Sequence, residues 1–518
     1  MSHGSLLLPT PRRLTSTGRL LPIDADSIAV VARIDPTLPR EGYRLRVRVR
    51  GGRAEARVEA AADAGVKHAT RTLAALTTPD RRAVEEVDVN DWPAFAWRGI
   101  LEGFYGPPWS HEDRLCPLRL AAACKMSAYG YAPKNDPWHR DRWRLPYPDD
   151  ELAQLGELAA VAREEHLEFI YAIAPGLDMA LDDPDDRAGL TAKCRQVLAT
   201  GIRQLAVLWD DIREGADAYD TGRRHGEVCQ MLTEELVTPG RLPPLIVCPT
   251  DYAGLDPGPY RDGLASSLPV ECVVWWTGPD VVSRSIGPTD AERARASYRR
   301  ELLLWDNFPV NDFDPTRLFT GPLVQRDPGL ADGPLLGILS NGQLPAVANV
   351  VPFATVADWA WNPADYDPAA SWERAIATLC PRDLEPLVRA CAPWPPSAGS
   401  APATAHGTVV GTLGGDGIHP RAGPGRPGHA RPSAGTLAGA PIALRSAEAA
   451  SEDFIRESMV AHDLVGVAVL DRTQVELPLT GGVLGDVGEP DLVRRGGGEL
   501  VPGPAFVVDA REQVVVDR

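Results

Sequence analysis

The chain lacks any run of about twenty apolar residues, the length needed to cross a bilayer, so no membrane span is expected. Cysteine is scarce and scattered. The eight thiols, at Cys116, Cys124, Cys194, Cys229, Cys248, Cys272, Cys380 and Cys391, form no CxxC, and no HExxH occurs. Such spacing speaks for reduced, buried thiols and against a disulfide framework or a zinc site. The ten histidines make no ligand cluster either, so neither a metal nor a cofactor is expected. Basic residues are in deficit, 53 Lys plus Arg against 71 Asp plus Glu, and the net charge of -18 lacks the basic footprint of a nucleic-acid binder. The opening MSHGSLLLPTPRRLTSTG holds only three consecutive leucines before Pro9 and Arg12-Arg13. That apolar core is too short for a secretory signal, which makes a cytoplasmic protein the expectation.

What is present divides the chain. All thirteen tryptophans fall between Trp92 and Trp394, marking that span as the one that builds a large core. Residues 395–450 are rich in Pro, Gly, Ala and Ser and read as a linker, since little there could offset the entropy of ordering. Residues 451–518 regain apolar runs such as LVGVAVL but contain no Trp or Tyr, and read as a small domain of uncertain fold. At the other end, residues 18–91 read as a small α/β domain, with strands in DSIAVVARI and GYRLRVRVRGG and a helix through GVKHATRTLAALT.

Between 92 and 366 one unit recurs. The apolar segments AWRGILEGF, MSAYGYAP, LEFIYAIAP, QLAVLWDD, PLIVCPTDY, VECVVWWTG, LLLWDNFP and LLGILSN number eight, mostly separated by stretches able to hold a helix. Parallel βα units in that number predict a closed (β/α)8 TIM barrel, followed by a helical segment over 367–394. An open doubly wound sheet is the alternative, but no GxGxxG follows the first strand.

In a (β/α)8 barrel chemistry sits at the carboxyl ends of the strands, so the polar residues ending these segments should face a common mouth. They are Glu102 and Gly103; Lys134, Asn135 and Asp136; Asp178; Asp210 and Asp211; Asp251 and Tyr252; Thr277; Trp305, Asp306 and Asn307, with Asp312 beyond; and Ser340 with Asn341. Carboxylates, amides, a lysine and aromatic rings suit a carbohydrate, whose hydroxyls need directed hydrogen bonds and whose apolar faces pack on rings.

The adjacent Asp210 and Asp211 constrain the chemistry further. Consecutive side chains of a strand leave on opposite faces, and neighbours do not easily span the roughly 6.5 to 9.5 Å between the carboxyl groups of an inverting glycosidase. A retaining pair remains open. So does an arrangement in which one aspartate protonates the leaving oxygen while the other handles a substrate group that acts as nucleophile. Close like charges favour keeping one of the two protonated. A solvated Asp-Asp that caps the next helix is the plainer alternative; likewise Trp305 could serve only as core and Asp312 as a cap.

Several stretches then resemble glycoside hydrolase family 84, the β-N-acetylglucosaminidases and O-GlcNAcases also described as hyaluronidase-like. They are RGILEGFYGPPWS (98–110), YAPKNDPWHRDRWR (131–144), APGLD (174–178), VLWDD (207–211), CPTDY (248–252), WTGPDVVS (276–283), LWDNFPVND (304–312), Asn341, and the A-x-W-x-W-N-P-x-x-Y-D-P features around 357–368, in the family's order. The resemblance implies a retaining exo-β-N-acetylglucosaminidase whose substrate supplies its own 2-acetamido oxygen as nucleophile through an oxazoline. By the same resemblance Asp210 orients the acetamido group and Asp211 is general acid and then base. Asp312 with Asn341 would bind O4 and O6, and Lys134 with the Gly103 backbone the outer edge of the sugar. Tyr252 would donate to the acetamido carbonyl, Asn307 would lie near Asp210, and Trp305 with Thr277 would line the N-acetyl pocket. The partner implied is an N-acetylglucosamine-bearing glycoconjugate or small glycoside, with no metal, nucleic acid or membrane; the oligomeric state is left open. Two alternatives stand beside it: a sugar-binding protein without turnover, and a hydrolase of an unusual N-acylamino-sugar metabolite. Asn135 departs from the family's usual Asp, and Asn341-Gly-Gln from its commoner Asn-Pro turn.

Overall fold

A computed structural model describes residues 3–23, 27–213, 215–394 and 475–478. The residues read as a linker, 395–450, lie outside the described residues, as do those read as an uncertain C-terminal domain except 475–478. The chain divides into two compact units, one containing Pro11–Pro93 with Val475–Pro478 and the other containing Ala94–Trp394.

The first unit is a helix on a sheet. Strands β1 (Arg13–Pro22), β2 (Ser27–Ile34), β3 (Tyr43–Arg50), β4 (Arg53–Ala60) and β5 (Ala83–Asp91) pair in the order β1-β5-β3-β4-β2, and the short strand Val475–Pro478 adds antiparallel to β2. Alternation in YRLRVRVR explains the two faces of β3: Tyr43, Leu45 and Val47 are buried, while Arg44 and Arg46 are exposed. The helix α1 (Asp63–Ala75) buries Val66, Ala69 and Leu73.

The second unit is a closed barrel of eight parallel strands, β6 (Trp97–Glu102), β7 (Ala128–Tyr131), β8 (Glu168–Ile173), β9 (Gln204–Leu208), β10 (Ile246–Cys248), β11 (Val273–Trp276), β12 (Glu301–Asp306) and β13 (Leu335–Asn341). Each coincides with one of the eight apolar segments, β12 beginning one residue ahead of its own at Glu301, and β13 closes on β6 with Asn341 opposite Leu101. The strands are buried on both faces, which is why their sequences read as continuous apolar runs. Ile170, Ala172, Ala206, Leu208, Trp275, Leu303 and Leu339 belong to one core cluster.

Helices flank the barrel: α2 (His111–Ala123), α3 (Asp149–Glu164), α4 (Pro184–Leu198) and α5 (Ala218–Leu232), which runs through a π turn into the single turn α6 (Thr238–Gly240). Next come α7 (Pro259–Ser267) and α8 (Pro288–Tyr298), and after β13 α9 (Val350–Trp361), α10 (Pro368–Leu379) and α11 (Glu385–Ala390). Local chemistry fixes where they start. Ser110 and Asp113 make a capping box on α2, and Asp217 accepts from Asp220 N on α5. The connection from β12 to β13 carries only the 3-10 turn Pro328–Asp332, so the helical alternation expected from the sequence breaks there. The cysteines are free thiols, five buried and three (Cys116, Cys380, Cys391) part-exposed, which corrects the uniform burial expected. Among the described residues no helix is long and apolar enough to cross a membrane.

Candidate functional site

Asp210 and Asp211 lie beyond β9, which ends at Leu208, in a turn where Asp211 takes a left-handed backbone (φ 54°). The alternation of a strand therefore does not govern them, and the opposed faces expected from sequence are replaced by two separate sets of partners. Nor do they cap the helix that follows, since Asp217 does.

Asp210 is buried, and its Oδ2 pairs with the Nζ of Lys134, itself buried on the loop after β7. Its other oxygen, Oδ1, is buried with no hydrogen-bond partner. An ionised carboxylate has about four acceptor sites, so an orphaned oxygen is a place prepared for an N–H or O–H donor. Asp211 is part-exposed and accepts two phenolic hydrogen bonds, Tyr105 Oη to Oδ2 and Tyr252 Oη to Oδ1, each at 2.8 Å. Burial first, then the Asp211 charge, pushes both tyrosines well above the usual phenol range, so they remain donors.

A second network braces the loop after β6. Asn341 Oδ1 accepts from Gly103 N (2.9 Å), and Asn341 Nδ2 donates to Asn307 Oδ1 (2.9 Å). Asn307 Oδ1 also accepts from Trp305 Nε1 (3.0 Å), and its Nδ2 donates to Val281 O (2.7 Å). Asp312 Oδ2 accepts from Tyr105 N at 2.9 Å, which identifies it as a clamp on this loop and not a helix cap. Burial raises the Asp312 pKa, with the backbone donors opposing it. Trp305 belongs to the barrel core, edge-on to Trp275 at 5.2 Å between centroids, and its ring faces Lys134 Nζ at 5.3 Å. Thr277 is buried, its hydroxyl donating to Asp280 O.

The fold thus joins Asp210 to Lys134, Asp211 to Tyr252, and Gly103, Asn341, Asn307 and Trp305 to one another. The Lys134 ammonium is engaged with Asp210, and the Tyr252 hydroxyl with Asp211. Other strand-end carboxylates have structural partners. Glu102 is fully buried between Arg114 and Tyr129, Asp306 pairs with Arg326, and Asp251 with Arg261. Asp136 accepts from Tyr131 and Tyr147, Asp178 from Trp143 and Arg144, and Asn135 Oδ1 from Gly106 N at 3.1 Å. Sequence reasoning passed over Tyr105 and Arg140. Tyr105 stood in the EGFYG strand end, an exposed-looking phenol three residues past Glu102; Arg140 carried no local signal, being one of three arginines in HRDRWR.

Known proteins share this arrangement of sequence. Residues 98–391 match the beta-N-acetylglucosaminidase family, and residues 9–92 match domain 2 of glycosyl hydrolase family 20. The Protein O-GlcNAcases of Rattus norvegicus and Mus musculus are each 37% identical over 272 residues, which is 50% of this chain and 29% of theirs. The chain therefore spans less than a third of those curated relatives. Among solved structures, that of CpGH84B superposes with a TM-score of 0.67 at 28% identity, covering 74% of this chain and 75% of that one. A mutant of the Thermobaculum terrenum O-GlcNAc hydrolase superposes with a TM-score of 0.54 at 32% identity over 56% of this chain and 64% of its own.

Proposed function

The chain belongs to the beta-N-acetylglucosaminidases of glycoside hydrolase family 84, and from that premise we propose that it hydrolyses terminal β-linked N-acetylglucosamine with retention, the substrate's acetamido group serving as nucleophile. We read its barrel as a (β/α)8 barrel with chemistry at the carboxyl ends of the strands. The observation that carries the proposal is the division of labour between neighbours. Asp210 keeps one carboxylate oxygen on Lys134 and leaves the other, buried and unpartnered, for a donor such as the acetamido N–H. Asp211, part-exposed beside it, is the proton carrier.

In the first step Asp211 gives its proton to the glycosidic oxygen as the bond from C1 to that oxygen breaks. The acetamido oxygen closes on C1, the N–H held by Asp210, and the alcohol leaves. In the second step the Asp211 carboxylate takes a proton from water, whose oxygen attacks C1 from the vacated face. The oxazolinium ring, its N–H still held by Asp210, opens and the β configuration returns, so no separate carboxylate nucleophile is needed. Lys134, paired with Asp210 Oδ2, holds that carboxylate in place, and its ammonium borders the outer edge of the sugar. Asp312, Asn341 and the Gly103 backbone form one wall, with Trp305, Asn307 and Thr277 beside the acetamido group.

The test is turnover of an aryl β-N-acetylglucosaminide against the matching β-glucoside, with Asp210→Asn and Asp211→Asn. The glucoside is expected to be almost inert, and the Asp211→Asn loss to shrink for an acidic leaving group that departs without protonation. Equal rates on both sugars would sink the mechanism; binding of the amino sugar without turnover would identify a recognition protein.

A further inference from the structure

Arg140 has no part in the reaction as set out above, yet it is a buried guanidinium, 8% exposed, beside the site. It lies six residues after Lys134 on the loop that follows β7. The residue before it anchors that loop to the next strand: His139 Nδ1 pairs with Ala172 O at 2.9 Å, and His139 O accepts from Ala174 N at 2.9 Å. So held, Arg140 sets its Cζ 5.2 Å from the centroid of the Tyr105 ring, and Tyr105 Oη donates to Asp211 Oδ2 at 2.8 Å.

We propose that Arg140 is a positioning residue for Asp211 and acts through Tyr105: the guanidinium holds the ring so that its hydroxyl meets Oδ2, and its charge favours the carboxylate left when Asp211 gives up its proton. The inference rests on the acid and base role proposed for Asp211. Burial works against the Arg140 charge, and Tyr105 with the Asp210 and Asp211 carboxylates more than offsets this, so its pKa is raised and it stays a cation. The other groups facing Asp211 do not duplicate it. Asp210 and Lys134 are paired with each other. Tyr252 donates to the opposite oxygen, Cys248 is a buried thiol whose pKa burial pushes up, and Asp312 is committed to the Tyr105 backbone. Arg140 is a buried cation that feels the Asp211 charge and makes no ion pair with another carboxylate among those described. A cation against an aromatic face, away from water, also polarises the phenol toward donation.

The sign follows directly. Without the cation the carboxylate form loses support, Asp211 holds its proton more tightly, and the basic limb of kcat/KM moves to higher pH. The experiment compares pH profiles for aryl β-N-acetylglucosaminides with acidic and poor leaving groups in wild type, Arg140→Met, Arg140→Lys, Tyr105→Phe and the Arg140→Met/Tyr105→Phe double variant. For Arg140→Met the basic limb is expected to rise by about 0.5–1 pH unit. Turnover of the poor leaving group is expected to fall roughly tenfold and of the acidic one less, with Arg140→Lys recovering part. In the Tyr105→Phe background, Arg140→Met should add little, because the two act in series. A pH-independent loss equal for both leaving groups, or additive displacements in the double variant, overturns the proposal. Should Arg140→Met fail to fold, Arg140→Lys completes the same cycle. Should the wild type not turn over, the functional proposal falls on its own. The carboxyl-carbon NMR titration of Asp211, assigned by its loss in Asp211→Asn, then reads the Arg140 effect directly: an upward displacement supports it and none refutes it.

Discussion

Replacing Gly103 by alanine strikes the site at its most crowded point. An added Cβ would lie 2.4 Å from Trp305 Cζ2, 2.9 Å from Cη2 and 3.2 Å from Asn341 Oδ1. Carbon atoms find their best separation at about 3.5–4.0 Å, so either the indole or the backbone must move by about 1 Å. The indole is poorly placed to yield. It is 4% exposed, edge-on to Trp275, and its N–H is committed to Asn307. The backbone is no freer, because the N–H groups of Gly103 and Tyr105 are held by Asn341 and Asp312. Overpacking of this kind costs about 1–3 kcal/mol, and misplacing a positioned group by about 1 Å costs about a hundredfold in rate. Gly103→Ala is therefore expected to lower the urea midpoint by the equivalent of that free energy and kcat/KM on an aryl β-N-acetylglucosaminide by about a hundredfold. Gly189→Ala is the control. It lies inside α4 with nothing within 4 Å of the added carbon, and should gain about 0.5–1 kcal/mol from helix propensity with unchanged kinetics. Wild-type stability and turnover in Gly103→Ala would refute the reasoning that this glycine and Trp305 together form a rigid wall.

Acid is expected to destabilise the fold through two histidines. Burial pushes His139 down to about 4 and His225 down to about 3, both below the roughly 6.5 of an unfolded histidine. The unfolded chain therefore binds more protons below pH ~6.5. Stability is full above that value, falls as pH drops and levels off only below the folded values, with a combined loss of about 3 kcal/mol by pH ~5.5. Denaturant midpoints at the two ends of that window check it, and His225→Gln should remove about half of the slope; equal midpoints would contradict the buried, neutral assignment. Asp306→Asn leaves the buried Arg326 guanidinium without its counter-charge, both side chains being at most 1% exposed. It is expected to cost about 3–5 kcal/mol in a guanidinium melt, and retention of wild-type stability would show that the pair is not needed. For the catalytic variants, Asp210→Asn is expected to lose turnover whatever the leaving group, while Asp211→Asn recovers with acidic ones; identical leaving-group dependence would remove the distinction between the two roles.

The barrel was legible because its strands are buried on both faces, which writes eight apolar runs into the sequence at regular spacing. The one break in the helical alternation, between β12 and β13, was not. No local signal separates a stretch able to form a helix from one, like 307–334, whose groups are claimed by distant partners such as Asp306, Tyr105 and Gln343. The strand-end residues were readable as a set but not as pairs. Glu102 and Asp211 look alike on paper, both polar at the end of an apolar run. In three dimensions Glu102 meets Arg114 and Tyr129 and is sealed, while Asp211 meets two phenols and stays part-exposed.

By itself the sequence determined the periodicities and the neighbours: which segments are strands, where α2 and α5 are capped, and that two carboxylates stand side by side after Leu208. These are local matters, decided by side-chain spacing and hydrogen bonds between residues a few positions apart. Only the tertiary structure decided the electrostatics. Lys134 reaches Asp210 across 76 positions of chain and Tyr105 reaches Asp211 across 106, and burial at those meetings leaves one oxygen of Asp210 waiting for a donor. Charge and dielectric act through space, and closing the barrel is what brings these groups within reach of one another.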